Sequence, residues 1–94
     1  MIDIEKLKSE LEKILIYLNV STVDAYFESI SVLKAKEYVS EIINKIDNKL
    51  EIDIDELKLL IAPTGNVQEI SIDNGWCEEF IKIAEKIDVI IGKN

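Results

Sequence analysis

The sequence contains no histidine and no arginine among its 94 residues, and it has a single cysteine and a single proline. Histidine is the side chain whose unperturbed pKa lies closest to neutral pH. Its absence therefore excludes Ser–His and Cys–His catalysis and histidine-ligated metal sites. Without arginine, the chain cannot bind phosphate groups or guanine bases through a planar, two-pronged set of donors. We therefore expect no catalytic residue, no bound metal and no cofactor, which makes an enzyme the least favoured class.

Positive charge is scarce: 11 lysines stand against 19 acidic residues, and the formal net charge is −8. An acidic chain repels the phosphate backbone of nucleic acids and has no basic face for anionic membranes. Its apolar runs are too short to span a bilayer, and its N-terminus has acids where a signal peptide carries basic residues. The lone Cys77 fits a reducing compartment, because it has no partner for an internal disulfide. We expect a cytoplasmic protein that binds neither nucleic acids nor membranes.

The apolar residues, 48% of the chain, recur mainly at helical spacing. The length suffices for one hydrophobic core, so residues 1–94 are expected to form a single helical domain. The i, i+3, i+4 pattern predicts amphipathic helices over residues 3–19 and 32–49, with a shorter helix between them. Asp53 begins a capping-box pattern, which predicts a further helix over residues 54–61.

The segment Ala62-Pro63-Thr64-Gly65-Asn66 is the part of the chain where proline and glycine occur together. Proline cannot continue a helix, and a short isolated strand would have nothing to pair with. We therefore expect an ordered loop over about residues 62–73, followed by a last helix that opens at Asp73 or Asn74 and stops at Gly92. The predicted fold is an all-α, compact bundle of four to five short helices. Its expected core residues include Leu11, Tyr38, Ile42, Leu57, Phe80 and Ile87.

The negative charge is concentrated in one third of the chain. Residues 1–49 hold nine acidic residues and seven lysines, whereas residues 50–81 hold eight acidic residues and one lysine, so their net charges are −2 and −7. One explanation is that acidic residues collect at helix N-termini, where the helix dipole stabilises them. The other is a negative surface directed at a basic partner, which raises association rates and selects among partners.

The candidate partner-binding residues come from this acidic segment. Trp76, the only tryptophan, is either a core anchor or an interface anchor, since tryptophan is enriched among the residues that dominate binding energies. Asp53 and Glu56 are left out, because their expected capping role would complicate any mutant. The candidate set is Glu51, Asp55, Glu69, Asp73, Trp76, Glu78 and Glu79.

Three short runs stand out in residues 59–88: Ala62-Pro63-Thr64-Gly65, Gln68-Glu69-Ile70 and Asn74-Gly75-Trp76. Together with the acidic amphipathic helix that follows, they resemble the C-terminal half of small helical bacterial immunity proteins, those of the Maf-type and contact-dependent-inhibition toxin families. The resemblance implies an immunity protein, or antitoxin, that binds and neutralises a cognate toxin, expected to be a basic nuclease domain. The alternative is a small regulatory or scaffold module that binds another protein or a second copy of itself.

Overall fold

The computed structural model describes residues 2–21, 32–62 and 65–92. These residues form five helices and no strand: α1 (Ile4–Asn19), α2 (Val32–Asp47), α3 (Ile54–Leu60), α4 (Asn66–Asp73) and α5 (Cys77–Ile90). The all-α bundle predicted from the apolar spacing is therefore confirmed. The shorter helix predicted between α1 and α2 falls outside the described residues. Within those residues, no helix has the length and apolar character needed to cross a membrane.

Helices α1 and α3 begin where the sequence places an acidic N-cap. The carboxylate of Asp3 accepts a hydrogen bond from the backbone N–H of Lys6 at 3.2 Å, and that of Asp53 accepts one from Glu56 at 3.1 Å. Each bond satisfies an amide group that the start of a helix leaves without an intrahelical partner. Asp53 thus fixes the start of α3 as predicted, and with it the position of the acidic residues in the first turn.

Residues 66–73 form helix α4, so the prediction of an ordered loop over about 62–73 is wrong for most of that segment. Val67 and Ile70 are completely buried, and their three-residue spacing places them on one helical face. Ile72, which an alternating segment would bury beside Ile70, is instead 55% exposed. Val67 and Ile70 therefore lie on the buried face of a short helix, and Ile72 lies on its exposed face.

The chain leaves α4 through a hydrogen-bonded turn at Gly75. The backbone N–H of Trp76 donates to the carbonyl of Ser71 at 2.9 Å, and that of Gly75 donates to the carbonyl of Ile72 at 3.4 Å. This pair of bonds is the Schellman pattern of helix ends. Gly75 has a φ of +83°, a left-handed conformation that glycine adopts without a steric penalty. The turn brings Trp76 directly to the start of α5.

Helix α5 starts at Cys77, so the prediction that it opens at Asp73 or Asn74 is wrong. Asp73 is the last residue of α4 and Asn74 is its C-cap. The side-chain amide of Asn74 donates to the carbonyl of Ile70 at 2.9 Å, which closes α4. At its other end, α5 finishes just before Gly92, whose φ of +78° agrees with the predicted stop.

The core lies along α1, which packs against α2 on one side and α5 on the other, while α4 packs against α5 and α2. Four of the expected core residues are buried and Ile42 packs partly buried against them, but Tyr38 is 39% exposed, so that prediction is wrong. The buried stripe of α2 is narrower than its apolar pattern suggests, and Tyr38 falls beside it. The residues with no exposed surface include Leu7, Leu11, Ile14, Leu18, Val39, Leu57, Val67, Ile70 and Ile87.

Candidate protein-binding surface

Trp76 lies in the core, with only 4% of its surface exposed. Its indole stacks on the ring of Tyr17, with centroids 5.0 Å apart and planes at 10°, and it meets Phe80 edge to face at 6.1 Å. The indole N–H donates to the hydroxyl of Ser21 at 2.8 Å, and that hydroxyl donates to the carbonyl of Tyr17 at 2.8 Å. Trp76 therefore ties the end of α1 to the start of α5. This is the core-anchor alternative, and it leaves Trp76 no surface for a partner.

Glu51 and Asp55 lie at the start of α3, and both are exposed. Asp55 belongs to the first turn of the helix, where the positive end of the dipole stabilises a carboxylate. Glu51 lies outside the helix, two residues before the N-cap Asp53. The helix-dipole explanation of the acidic segment therefore accounts for Asp55 and leaves Glu51 unexplained.

Glu69 and Asp73 lie on the same face of α4, because they are four positions apart in the helix. Glu69 is in the first turn, where the dipole favours an acid, but Asp73 is the last helical residue, where the dipole is negative. The N-cap of α5 is Trp76, not Asp73, and no hydrogen bond from the start of α5 to Asp73 is found among the described residues. Asp73 therefore occupies a position where a carboxylate is unfavourable, and helix capping does not explain it.

Glu78 and Glu79 are both exposed in the first turn of α5, but they point to different sides of it. Adjacent residues of a helix are about 100° apart around its axis. Glu79 lines a groove between α1 and α5 together with Lys13 and Lys82. Glu78 lies three residues before Ile81, on the same side of the helix as that residue. The structure thus brings Glu69 and Asp73 together on α4 and separates Glu78 from Glu79.

The ion pairs found among the described residues all lie in α1 and α2. They are Lys8 with Asp47, Lys13 with Glu10 and Lys45 with Glu41. The hydrogen bond from Lys8 to Asp47 is the main reason that the pKa of Lys8 is raised above its usual value. Among the described residues, none of the six acidic candidates has a lysine within the 4.0 Å ion-pair distance. None of the six is therefore held in an ion pair by the described part of the fold.

A groove of about 820 Å³ lies between the end of α3, α4 and α5, and we refer to it as the Ile81 groove. Ile81 lines it with 43% of its surface exposed, beside the almost fully buried Phe80. Glu85 and Asp88, from the following turns of α5, line the same groove, as does Lys58 from α3. The apolar part of its lining also includes Ile61, Ala62 and Ala84. The groove therefore combines exposed apolar surface with two carboxylates and one lysine.

A second large groove, of about 660 Å³, runs between α1 and α5 beside Lys6 and has a different charge pattern. We refer to it as the α1–α5 groove, and it is distinct from the groove that Glu79 lines. Lys6, Lys82 and Lys86 line it, together with the buried Glu10 of α1 and with Glu85, which also lines the Ile81 groove. One carboxylate oxygen of Glu10, Oε2, accepts a hydrogen bond from Lys13 at 3.0 Å. The other, Oε1, is buried and has no hydrogen-bond partner in the described part of the chain. Lysines outnumber carboxylates in this lining, so the α1–α5 groove is the less favourable place for a cationic partner.

The sequence patterns did not single out Ile81 or Glu85 as candidate partner-binding residues. The available signal was the helical position of Ile81, which falls off the buried stripe of α5 that contains Phe80 and Ile83. An apolar residue at an off-stripe position marks exposed apolar surface, but single exposed apolar residues are common. The groove beside Ile81 depends on how α3 and α4 pack against α5, which a pattern within α5 does not contain.

Comparison of the chain with protein-family models, with curated proteins and with solved structures finds no match. The function therefore has to be inferred from the charges and grooves of the chain itself.

Proposed function

We propose that this chain is an immunity protein, which binds a cognate bacterial toxin with a basic nuclease domain and neutralises it. The charge of residues 50–81 supports the proposal, because its net −7 is carried largely by exposed carboxylates. A basic domain supplies the complementary lysines and arginines, and complementary potentials steer association and reject other partners. The resemblance of residues 59–88 to small helical immunity proteins supplies the class of partner.

The observation that carries the proposal is the position of Asp73. Its carboxylate is exposed at the negative end of α4, and it lies one turn from Glu69, which bears the same charge. Both interactions destabilise the folded chain. Residues that break a local stability rule concentrate at functional sites, so Asp73 is better explained by binding than by folding.

The test measures association and inhibition with a purified toxin. The partner to test is the product of a toxin gene, should sequencing find one immediately upstream of the gene for this chain. We expect a one-to-one complex in which toxin activity is lost, and an association rate that falls as salt rises. Reversing Glu69, Asp73 and Glu79 to lysine should lower the association rate at low salt by about tenfold or more, since steering accounts for factors of that size.

The matched control reverses three exposed acids of α1 and α2, namely Glu12, Glu37 and Glu41, to lysine. It changes the net charge by the same amount but leaves residues 50–81 intact. Circular dichroism of both triple variants confirms that the helices are kept. If the two triple variants associate at the same rate, the acidic segment does not steer binding. If the wild-type chain leaves toxin activity unchanged, the immunity function itself is wrong.

A further inference from the structure

We infer that the Ile81 groove is the docking site for an amphipathic helix of a basic partner, whose central apolar side chain is flanked by lysine or arginine. This inference rests on the proposed function, because it names a site that would hold the partner. It adds a site that lies between three helices and includes residues outside the acidic segment, such as Glu85 and Asp88.

The apolar part of the site is available in the described structure. Ile81 is 43% exposed although it belongs to the same turn as the buried Phe80. Ala84, three residues on, has a small side chain and is half-buried, and Ile61 faces the groove from the end of α3. A side chain of leucine or isoleucine size that entered here would cover Ile81 and remove its apolar surface from water.

The charge beside Ile81 selects a cationic partner. Glu78 lies three residues before Ile81 and Glu85 four residues after it, so both carboxylates are on the same side of α5 as Ile81. Lys58 lines the groove from the α3 side, which leaves the α5 side negative. The α1–α5 groove shares Glu85 but is also lined by Lys6, Lys82 and Lys86, so its lysines outnumber its carboxylates and it suits the same partner less well.

The spacing of these residues matches that of side chains on a partner helix. Glu78, Ile81 and Glu85 follow one another at about one-turn intervals, so they span roughly 10 Å along the axis of α5. A partner helix that lies along α5 presents side chains at the same intervals through its i, i+3 or i+4, and i+7 positions. Cationic residues one turn before and one turn after an apolar residue would then meet Glu78 and Glu85 while the apolar residue meets Ile81.

The experiment uses the full chain and a synthetic amphipathic helical peptide built from leucine, alanine and lysine, labelled for fluorescence anisotropy. Two further peptides act as probes of the chemistry: one has glutamate in place of lysine, and one keeps lysine but has serine in place of leucine. The test variant is Ile81→Lys, and the matched control is Leu33→Lys, which adds the same charge on α2 at a residue that is 65% exposed. Ile81→Ala removes apolar surface without adding charge and serves as a second variant.

We expect the wild-type chain and Leu33→Lys to bind the leucine–lysine peptide with the same Kd, while Ile81→Lys binds at least tenfold more weakly and Ile81→Ala is intermediate. The glutamate and serine peptides should also bind at least tenfold more weakly. Equal affinities of Ile81→Lys and Leu33→Lys, with both variants folded by circular dichroism, would overturn the inference.

The same variants distinguish an error in the proposed docking site from an error in the proposed immunity function. If a purified toxin is inhibited by wild type and by Ile81→Lys alike, the immunity function stands and the Ile81 groove is not its docking site. If the peptide shows the expected pattern but no toxin is inhibited, the groove is a docking site and the proposed function is wrong.

Discussion

At the scale of single residues, the hydrogen bond between Trp76 and Ser21 is one of the contacts that join the two halves of the chain. Replacing Ser21 with alanine removes the acceptor of the buried indole N–H, which donates to Ser21 at 2.8 Å. A buried donor left without a partner costs roughly 1–3 kcal/mol, so we expect Ser21→Ala to lower the free energy of unfolding by that amount. Urea unfolding followed by tryptophan fluorescence measures it.

The control for Ser21→Ala is Ser40→Ala, at an exposed position of α2, which should change stability by less than about 0.5 kcal/mol. Equal losses in the two variants would show that the hydrogen bond to Trp76 contributes nothing beyond a surface serine.

Which residue contacts could be predicted depends on their separation along the chain. The N-caps Asp3 and Asp53 each bond an amide three residues away, so the sequence pattern contains the whole interaction. The partner of Trp76 is 55 residues distant, and nothing in the local pattern around either residue indicates it. For that reason the sequence does not determine whether Trp76 is a core anchor or an interface anchor. The packing of α1 against α5 determines that it is in the core.

At the scale of elements, the helical conformation of α4 predicts different effects of mutation at Ile70 and Ile72, which a loop or a strand would not predict. Ile70 is completely buried and Ile72 is 55% exposed, although only one residue separates them. Ile70→Ala should therefore cost about 2–5 kcal/mol of unfolding free energy, because it leaves a cavity in the core. Ile72→Ala should cost less than about 0.5 kcal/mol. Urea unfolding of both variants provides the measurement, and similar losses at the two sites would contradict the helical face.

The sequence did not reveal α4 because the segment is short and its signals conflict. Eight residues provide two helical turns, and Val67, Ile70 and Ile72 fit a partly alternating pattern as well as a helical one. Isolated helices of this length are marginal in water, so the packing of Val67 and Ile70 in the core determines the conformation. The longer helices α1 and α2 repeat their pattern over 16 residues each, which is why both were predicted close to their observed bounds.

At the scale of the whole molecule, the sequence predicted where the charge lies along the chain but not how it is distributed in space. The number of acidic residues along the chain identifies residues 50–81 as the acidic segment. Most of the candidate partner-binding residues are exposed, as their polar side chains predict. The division of Glu78 and Glu79 between two sides of α5, and the pairing of Ile81 with a groove, depend on how α3, α4 and α1 pack around that helix. Those contacts lie between elements, beyond the reach of a pattern within one helix.

We expect the concentration of negative charge in residues 50–81 to lower the free energy of unfolding. Carboxylates crowded into residues 50–81 repel one another, and salt screens such repulsion with a Debye length of about 10 Å at 0.1 M. The wild-type chain should therefore become more stable as salt rises. Reversing Glu51 and Asp73 to lysine, neither of which lies at a helix N-terminus, should stabilise the chain by about 1 kcal/mol at low salt and reduce the salt dependence.

The control reverses Glu37 and Glu41 on α2, which gives the same change in net charge, from −8 to −4. Acids and lysines are interspersed there, and Glu41 already pairs with Lys45 at 3.7 Å, so reversal should bring no gain in stability. Urea is the denaturant for both double variants because it adds no salt. If the α2 variant gains as much as the Glu51 and Asp73 variant, the total charge is what destabilises the chain. A larger gain for Glu51 and Asp73 shows that repulsion within residues 50–81 lowers stability, as expected of a surface kept for a basic partner.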